Sequence, residues 1–194
     1  MLFGNVRNFV DSTRAVAAVE FAIIMPVLLL LFLGTFDAGN AIAIYTKVRA
    51  ATYSLAAITN QYGNSAASAI STTTMTGITS ATTAILSPYA SAPAVVVISQ
   101  IVATSNTQAT VSWSYSPTAG QALTQSNPFT LPTNFAQNSC GGTYPCYVIY
   151  AQVSYTFTPA FGAFLTGPII FSDSLYATPR ASPCVIYNNL PSSC

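Results

Sequence analysis

Residues 21–36 read FAIIMPVLLLLFLGTF, and this uncharged run decides the fold. As a helix it would be roughly 24 Å long, close to the ~30 Å thickness of a bilayer core. Ala15–Val19 before the run and Ala38–Tyr45 after it extend the apolar surface, with Glu20 and Asp37 near the two interfaces. The apolar side chains contribute on the order of −4 kcal/mol to insertion, which favours a transmembrane helix.

The helical pattern continues beyond the run. Apolar residues recur at spacings of three and four, and two further residues widen the stripe: Tyr45, Val48, Ala51, Leu55 and Ile58, with Thr52 and Ala56 beside them. This periodicity predicts one continuous helix from about Ser12 to about Tyr62, ending near Gly63-Asn64. A second, weaker helix is expected within Ser65–Leu86, before Ser87-Pro88, where Thr and small residues lower the helix propensity.

The remainder of the chain has the alternation of β-strands. Four segments are rich in Val, Ile, Tyr, Thr and Phe: Val95–Thr104, Ala109–Tyr115, Tyr147–Thr158 and Ile169–Thr178. Ser116–Thr143 is predicted to be a long loop because it concentrates Gly, Pro, Asn and Gln. The predicted fold class is α+β, with an antiparallel sheet of about four strands packed against the outer half of the transmembrane helix, as in pilins.

These patterns divide the chain into four regions. We expect a cytoplasmic tail over residues 1–14, a transmembrane helix over 15–45, an extracytoplasmic helical stem over 46–86 and a β-rich extracytoplasmic domain over 87–194. Basic residues flank the apolar run evenly on both sides, so charge does not decide the orientation. The cysteines and the short N-terminal tail favour an N-terminus inside and a C-terminal domain outside.

All four cysteines lie in the C-terminal third of the chain: Cys140, Cys146, Cys184 and Cys194. There is no histidine and no Cys-x-x-Cys spacing, so disulfides are favoured over a zinc site. Three pairings are possible, and we expect Cys140–Cys146 and Cys184–Cys194, with roughly 2–3 kcal/mol of stabilisation for each short loop. The alternative is four buried or free thiols.

The charged residues exclude several classes of function. They make up only 5% of the chain, and none lies between Arg49 and Asp173. A cytosolic protein of this kind would lack the charge that opposes association, so the neutral stretch is displayed outside the cytoplasm or packs against copies of itself. There is no basic excess for nucleic acid. Without histidine or paired carboxylates in the β-rich region, we predict no enzyme and no catalytic, cofactor or metal site.

The segment RAVAAVEFAIIMPVLLLLFLGTFDAG, residues 14–39, resembles the TadE-like family of bacterial tight-adherence (Tad) pilus proteins. The family pattern is an Ala-rich lead, Val-Glu-Phe-Ala, a Pro, a Leu run, a Gly, an acidic residue and a further Gly. The matching positions are Val19, Glu20, Phe21, Ala22, Pro26, Gly34, Asp37 and Gly39. Ala51–Ala57 resembles the family's downstream helix, so the resemblance covers about residues 12–60.

The resemblance implies a structural or assembly component of a Tad (Flp-type, type IVb) pilus in the bacterial inner membrane, as a pseudopilin or an assembly protein. Its partners would be the lipid bilayer, other pilus or pseudopilin subunits and the inner-membrane assembly machinery. Some members are cut by a prepilin peptidase after a Gly five residues before the Glu. Ala15 holds that position here, so the chain is either cut between Ala15 and Val16 or kept whole as a bitopic anchor.

Glu20 is the one candidate functional acid. A carboxylate beside the apolar residues 21–24 is costly in lipid and should seek a partner. By the resemblance, that partner is the freed N-terminal amine of a neighbouring subunit. The alternative is that Glu20 only reaches the lipid headgroups. Asp37 is interpreted as a boundary residue at the interface, without chemistry.

A second interpretation of the apolar run is a cleavable signal peptide. Ala41–Ala43 has the small-x-small pattern of a signal-peptidase site. Cleavage after Ala43 would release a secreted or surface envelope domain, adhesive in function and without a link to pili. Against it, the helical pattern runs through the site, and Asp37 and Asn40 are unusual neighbours for such a site.

Overall fold

The computed structural model describes residues 13–63, 65, 69–133 and 135–191, with the side chains of 13–15, 164 and 165 excepted. The predicted helix start at Ser12, the tail before it and Cys194 therefore lie outside the described residues. Within them the chain forms two compact units. The first holds residues up to Ile42 together with Thr158–Pro168, and the second holds Ala43–Phe157 together with the residues from Ile169 onward.

The long N-terminal helix is confirmed. Helix α1 spans Thr13–Thr59 and continues through Pro26. Pro26 has no backbone N–H and so removes one hydrogen bond of the helix, which is tolerated in the helices of membrane proteins. Residues 16–32 are all exposed, and the window of 18 residues with the highest hydropathy has no buried residue. By length and composition this segment is a candidate membrane span.

The second unit contains an antiparallel five-stranded sheet of order β3-β2-β1-β4-β5. The strands are β1 (Ala94–Ala103), β2 (Gln108–Tyr115), β3 (Pro128–Thr130), β4 (Cys146–Phe157) and β5 (Ile169–Ala177). The shorter helices of the described chain are α2 (Thr72–Ala84), α3 (Phe135–Cys140) and α4 (Ala163–Thr166). The α+β class and the four long strands are therefore confirmed, and α2 lies inside the range predicted for a second helix.

The prediction of a loop over Ser116–Thr143 was wrong in part, because this segment contains β3 and α3. Strand β3 is only three residues long and pairs with the start of β2 at the edge of the sheet. Pro128 is tolerated there because an edge strand needs fewer backbone donors. Phe129 packs against Tyr150 of β4 in one hydrophobic cluster, with ring centroids 5.1 Å apart.

The outer part of α1 packs on one face of the sheet. Buried side chains of the helix and sheet form one cluster, which includes Ile44, Val48, Ala51 and Leu55 from the helix and Val96, Ile98, Trp113, Ile149, Ala151 and Val153 from the strands. Thr52 and Ala56 are buried as the widened stripe predicts. The stripe begins at Ile44 rather than Tyr45, which is exposed and only flanks the cluster beside Phe171.

A contact between α1 and the C-terminal end of α2 uses Lys47, the first basic residue after the apolar run. Lys47 Nζ donates hydrogen bonds to the carbonyl oxygens of Ile85 and Ser87, at 3.2 and 2.5 Å. A cation at the C-terminal end of a helix satisfies carbonyls that lack a partner inside it. The ammonium group of Lys47 therefore has its hydrogen-bond partners within the second unit.

Candidate functional site

In the first unit, the backbone of the β4–β5 loop, residues 158–168, binds the carboxylate of Asp37. Asp37 follows the apolar run directly, and its side chain is 8% exposed. Its Oδ1 accepts a hydrogen bond from the backbone N–H of Ala160 at 3.0 Å. Its Oδ2 accepts two more, from Phe161 at 3.0 Å and from Gly162 at 2.6 Å. Three backbone donors thus satisfy a buried anion, as buried polar groups require.

The local sequence of the loop makes this site possible. Gly162 precedes the single turn of α4, so the three N–H groups of Ala160–Gly162 have no partner inside that turn. A Cβ on Gly162 would lie 3.3 Å from Asp37 Oδ2, a close approach that glycine avoids. Gly167 ends the turn with φ of 66°, a conformation that favours glycine. The loop is therefore shaped to receive one carboxylate.

An aromatic contact lies beside this carboxylate. The rings of Phe36 and Phe161 are 5.9 Å apart between centroids and meet edge to face at 70°. Both side chains nevertheless stay more than half exposed. The loop thus places an aromatic residue next to the last aromatic residue of the apolar run.

The predicted site residues of the helix are not brought together with Asp37. Ala15 lies in the helix, and Val16 and Glu20 lie on its exposed surface. None of the hydrogen bonds described for the chain involves Glu20. Its role in processing or assembly stays a prediction.

The features of helix α1 described so far lie within the segment that matches a known family. The exposed apolar run, Glu20 before it, Asp37 after it and the buried stripe beyond all lie within one segment. Residues 15–57 match the protein-family model of TadE-like proteins. The resemblance found in the sequence is therefore confirmed over this TadE-like segment, which covers less than a quarter of the 194 residues.

The TadE-like match relates the chain to components of Tad pili, a family that is structural rather than enzymatic. Neither a curated protein nor a solved structure is detectably similar to the chain. Asp37 belongs to the TadE-like segment, whereas the loop that binds it lies outside that segment. The contact thus joins the matched part of the chain to the part for which no relative is found.

Sequence reasoning missed this role of Asp37. More than a hundred residues separate the acid from its donors, and backbone N–H groups have no sequence signature. One feature does point to the loop. It has two glycines and two prolines around apolar residues and no charge, which is typical of a turn that exposes its backbone.

The second unit contains the predicted disulfide between Cys140 and Cys146, with Cα atoms 6.0 Å apart. It closes the turn between α3 and β4. Gly141 and Gly142 have φ of 61° and 76° there, which lets the chain reverse. Cys184 is fully buried and is not a free thiol. Its predicted pairing with Cys194 involves a residue outside the described ones and stays a prediction.

Three tyrosines of the sheet titrate above the usual range. Burial raises the pKa of Tyr150, Tyr155 and Tyr176 from the ordinary value of 10.0. The charge of Tyr150 when ionised adds to the effect on Tyr176. Their rings lie on the two faces of β4 and on β5, so ionisation would place charge within the packed sheet.

These shifts predict alkaline sensitivity of the second unit. A raised pKa in the folded state means that the stabilisation is complete below about pH 10 and is lost as the pH rises through the folded pKa. We expect the free energy of unfolding to be flat near neutrality and to fall above about pH 10. Urea titrations at a series of pH values measure it. Tyr176→Phe should make the fall of this free energy with pH less steep, because the variant lacks one phenol whose pKa burial raises. An unchanged pH dependence in this variant would contradict the prediction.

Proposed function

We propose that this protein is a membrane-anchored structural or assembly component of a Tad pilus, and more narrowly a minor pseudopilin without enzymatic activity. One observation carries the proposal. The TadE-like match coincides with a helix whose apolar run is exposed on all sides and whose outer part packs on the sheet. A large exposed apolar surface needs lipid or protein around it. The partners in this proposal are the bilayer, other pilus subunits and the inner-membrane assembly machinery.

The proposed topology follows from the disulfide. A disulfide between Cys140 and Cys146 forms in an oxidising compartment, so we place the β-rich domain of residues 87–194 in the periplasm or at the cell surface. The chain would cross the inner membrane once, within residues 15–45. Residues 1–14 would form the cytoplasmic tail, and 46–86 would form the helical stem.

The competing function is a secreted envelope domain released after Ala43. In its favour, the second compact unit begins at Ala43. Two observations favour an uncut chain. Ala41–Ala43 lies within the continuous helix α1, and cleavage there would remove Asp37, the acceptor of three backbone hydrogen bonds from the β4–β5 loop. The loop would then expose donors that the uncut chain satisfies.

Mass spectrometry of the intact native protein separates the processing states. Our proposal allows the uncut chain or cleavage between Ala15 and Val16 by a prepilin peptidase. A mature protein beginning at Ile44 would instead establish the secreted alternative. Should cleavage at Ala15 be found, Ala15→Gly is the matched variant, and we expect it to be processed faster.

The link to pili is tested by deleting the gene and counting surface pili. We expect pili to be lost and to be restored by the unsubstituted chain. Restoration should fail for a variant with Leu29→Arg and Leu30→Arg, because each Arg at the centre of a span costs about 2.5–3.5 kcal/mol of insertion. The matched control is Thr73→Arg with Ser80→Arg at exposed positions of α2, which should restore pili. Normal piliation of the deletion strain would refute the proposed function.

A further inference from the structure

The β4–β5 loop has the composition of a membrane-contacting segment. Residues 158–168 read TPAFGAFLTGP, with no charged residue and with three large apolar ones. The loop belongs to the same compact unit as the helix residues up to Ile42. Aromatic and aliphatic side chains without charges suit the boundary between headgroups and acyl chains.

The loop exposes its aromatic residue where the apolar run ends. Phe161 is 54% exposed although it contacts Phe36, which is itself 53% exposed. The two rings therefore form one apolar surface, continuous with the exposed run of residues 16–32. Monomeric proteins seldom expose apolar surfaces of this kind to water.

The binding of Asp37 removes the obstacle to placing this surface in lipid. A carboxylate directly after Phe36 would resist contact with acyl chains. Its two oxygens instead accept three hydrogen bonds from the loop and are shielded from the surroundings. The loop thereby covers the one charge at this end of the run and adds an aromatic side chain in its place.

We propose that the β4–β5 loop is a second membrane contact, in which Phe161 enters the acyl-chain boundary of the outer leaflet beside Phe36. This proposal rests on the proposed function, since it requires the apolar run to be embedded. We assign lipid to this surface because apolar side chains are exposed on all sides of the helix, as they are in a helix surrounded by acyl chains. A protein partner would need only one stripe of it.

The test uses the full chain in phosphatidylcholine nanodiscs, one chain per disc. Phe161→Trp introduces an indole, and the emission of the buried native Trp113 is subtracted with the unsubstituted protein. Lipids with a nitroxide near the headgroup end of the acyl chain should quench the introduced indole by at least roughly twofold, as for interfacial aromatic residues. Nitroxides at the methyl end should quench it less.

Two matched probes separate the possible failures. Tyr53→Trp, at a similarly exposed position about five turns beyond Phe36 on helix α1, should not be quenched. Leu30→Trp, in the middle of the run, should be quenched most by nitroxides at the methyl end. If Leu30→Trp is quenched and Phe161→Trp is not, the loop is outside the lipid and this inference is overturned while the anchor stands. If Leu30→Trp is not quenched, the proposed membrane anchor itself fails.

A measurement on the unsubstituted protein guards against misfolding of a variant. Phosphatidylcholine with a photoreactive diazirine in its acyl chain should label the peptide of residues 158–168 as well as the apolar run. Labelling of the run alone would overturn the inference. In discs that hold two chains, cross-linking of this peptide to the second copy would also overturn the inference, because the exposed surface would then contact protein rather than lipid.

Discussion

Replacing Asp37 by Ala is expected to release the β4–β5 loop from helix α1. The substitution leaves the backbone N–H groups of Ala160, Phe161 and Gly162 without their acceptor. Hydrogen bonds to a charged group contribute about 1.5–3 kcal/mol each, although shared donors do not add fully. We therefore expect local opening of the loop to become easier by on the order of 3 kcal/mol, or more than a hundredfold.

Hydrogen–deuterium exchange of residues 158–168 measures this opening in the detergent-solubilised full chain. Glu20→Ala is the matched control, because Glu20 is a carboxylate of the same helix that is exposed and has no described hydrogen bond. It should leave the exchange of the loop unchanged. Asp37→Asn keeps one acceptor oxygen and should show an intermediate effect. Equal exchange in the Asp37→Ala and unsubstituted proteins would show that the carboxylate does not hold the loop.

Trp113→Ala is expected to produce the largest loss of global stability. Trp113 is 2% exposed and belongs to the cluster between α1 and the sheet. Its Nε1–H donates to the carbonyl oxygen of Val185 at 2.9 Å, and its ring packs against Tyr187 at 5.3 Å. Gln100 Oε1 also accepts a hydrogen bond from the backbone N–H of Val185. Two side chains of the sheet therefore bind the C-terminal segment at this residue. Removing the indole leaves a large cavity and an unpaired carbonyl, at about 3–5 kcal/mol.

Denaturant unfolding followed by far-UV circular dichroism measures this loss, since the variant has no other tryptophan. Trp113→Phe keeps part of the packing and removes only the hydrogen bond, so a smaller loss is expected. Tyr53→Ala removes an aromatic side chain that is 52% exposed and should change the stability by less than about 0.5 kcal/mol. A loss for Trp113→Ala no greater than that of Tyr53→Ala would show that the core is not built around this indole.

The long elements of the fold could be predicted because each has a strong local pattern. The apolar run and the spacing of Val48, Ala51 and Leu55 predict a helix with one buried stripe, and the structure contains it. Alternation in Val111–Tyr115 and Val153–Phe157 predicts strands that bury every second side chain, as β2 and the second half of β4 do. The first half of β4 departs from this pattern, since Val148–Ala151 are buried on both faces of the sheet. Such patterns repeat over many residues, so single exceptions do not hide them.

The remaining features depend on contacts that the local pattern does not encode. Strand β3 is too short to alternate and exists because it pairs with the start of β2. Ile44 rather than Tyr45 begins the buried stripe, since both fit the helical period and only packing distinguishes them. The partner of Asp37 is backbone from a distant loop, which any sequence could supply. Tertiary contacts decide all three.

Above all, we propose that the apolar run of helix α1 is embedded in a bilayer and that the disulfide-bearing sheet lies outside the cytoplasm. Extraction of native membranes with alkaline carbonate tests it most directly. We expect the full-length protein to stay in the membrane pellet and to be released only by detergent. Recovery of the mature protein in the soluble fraction would contradict it.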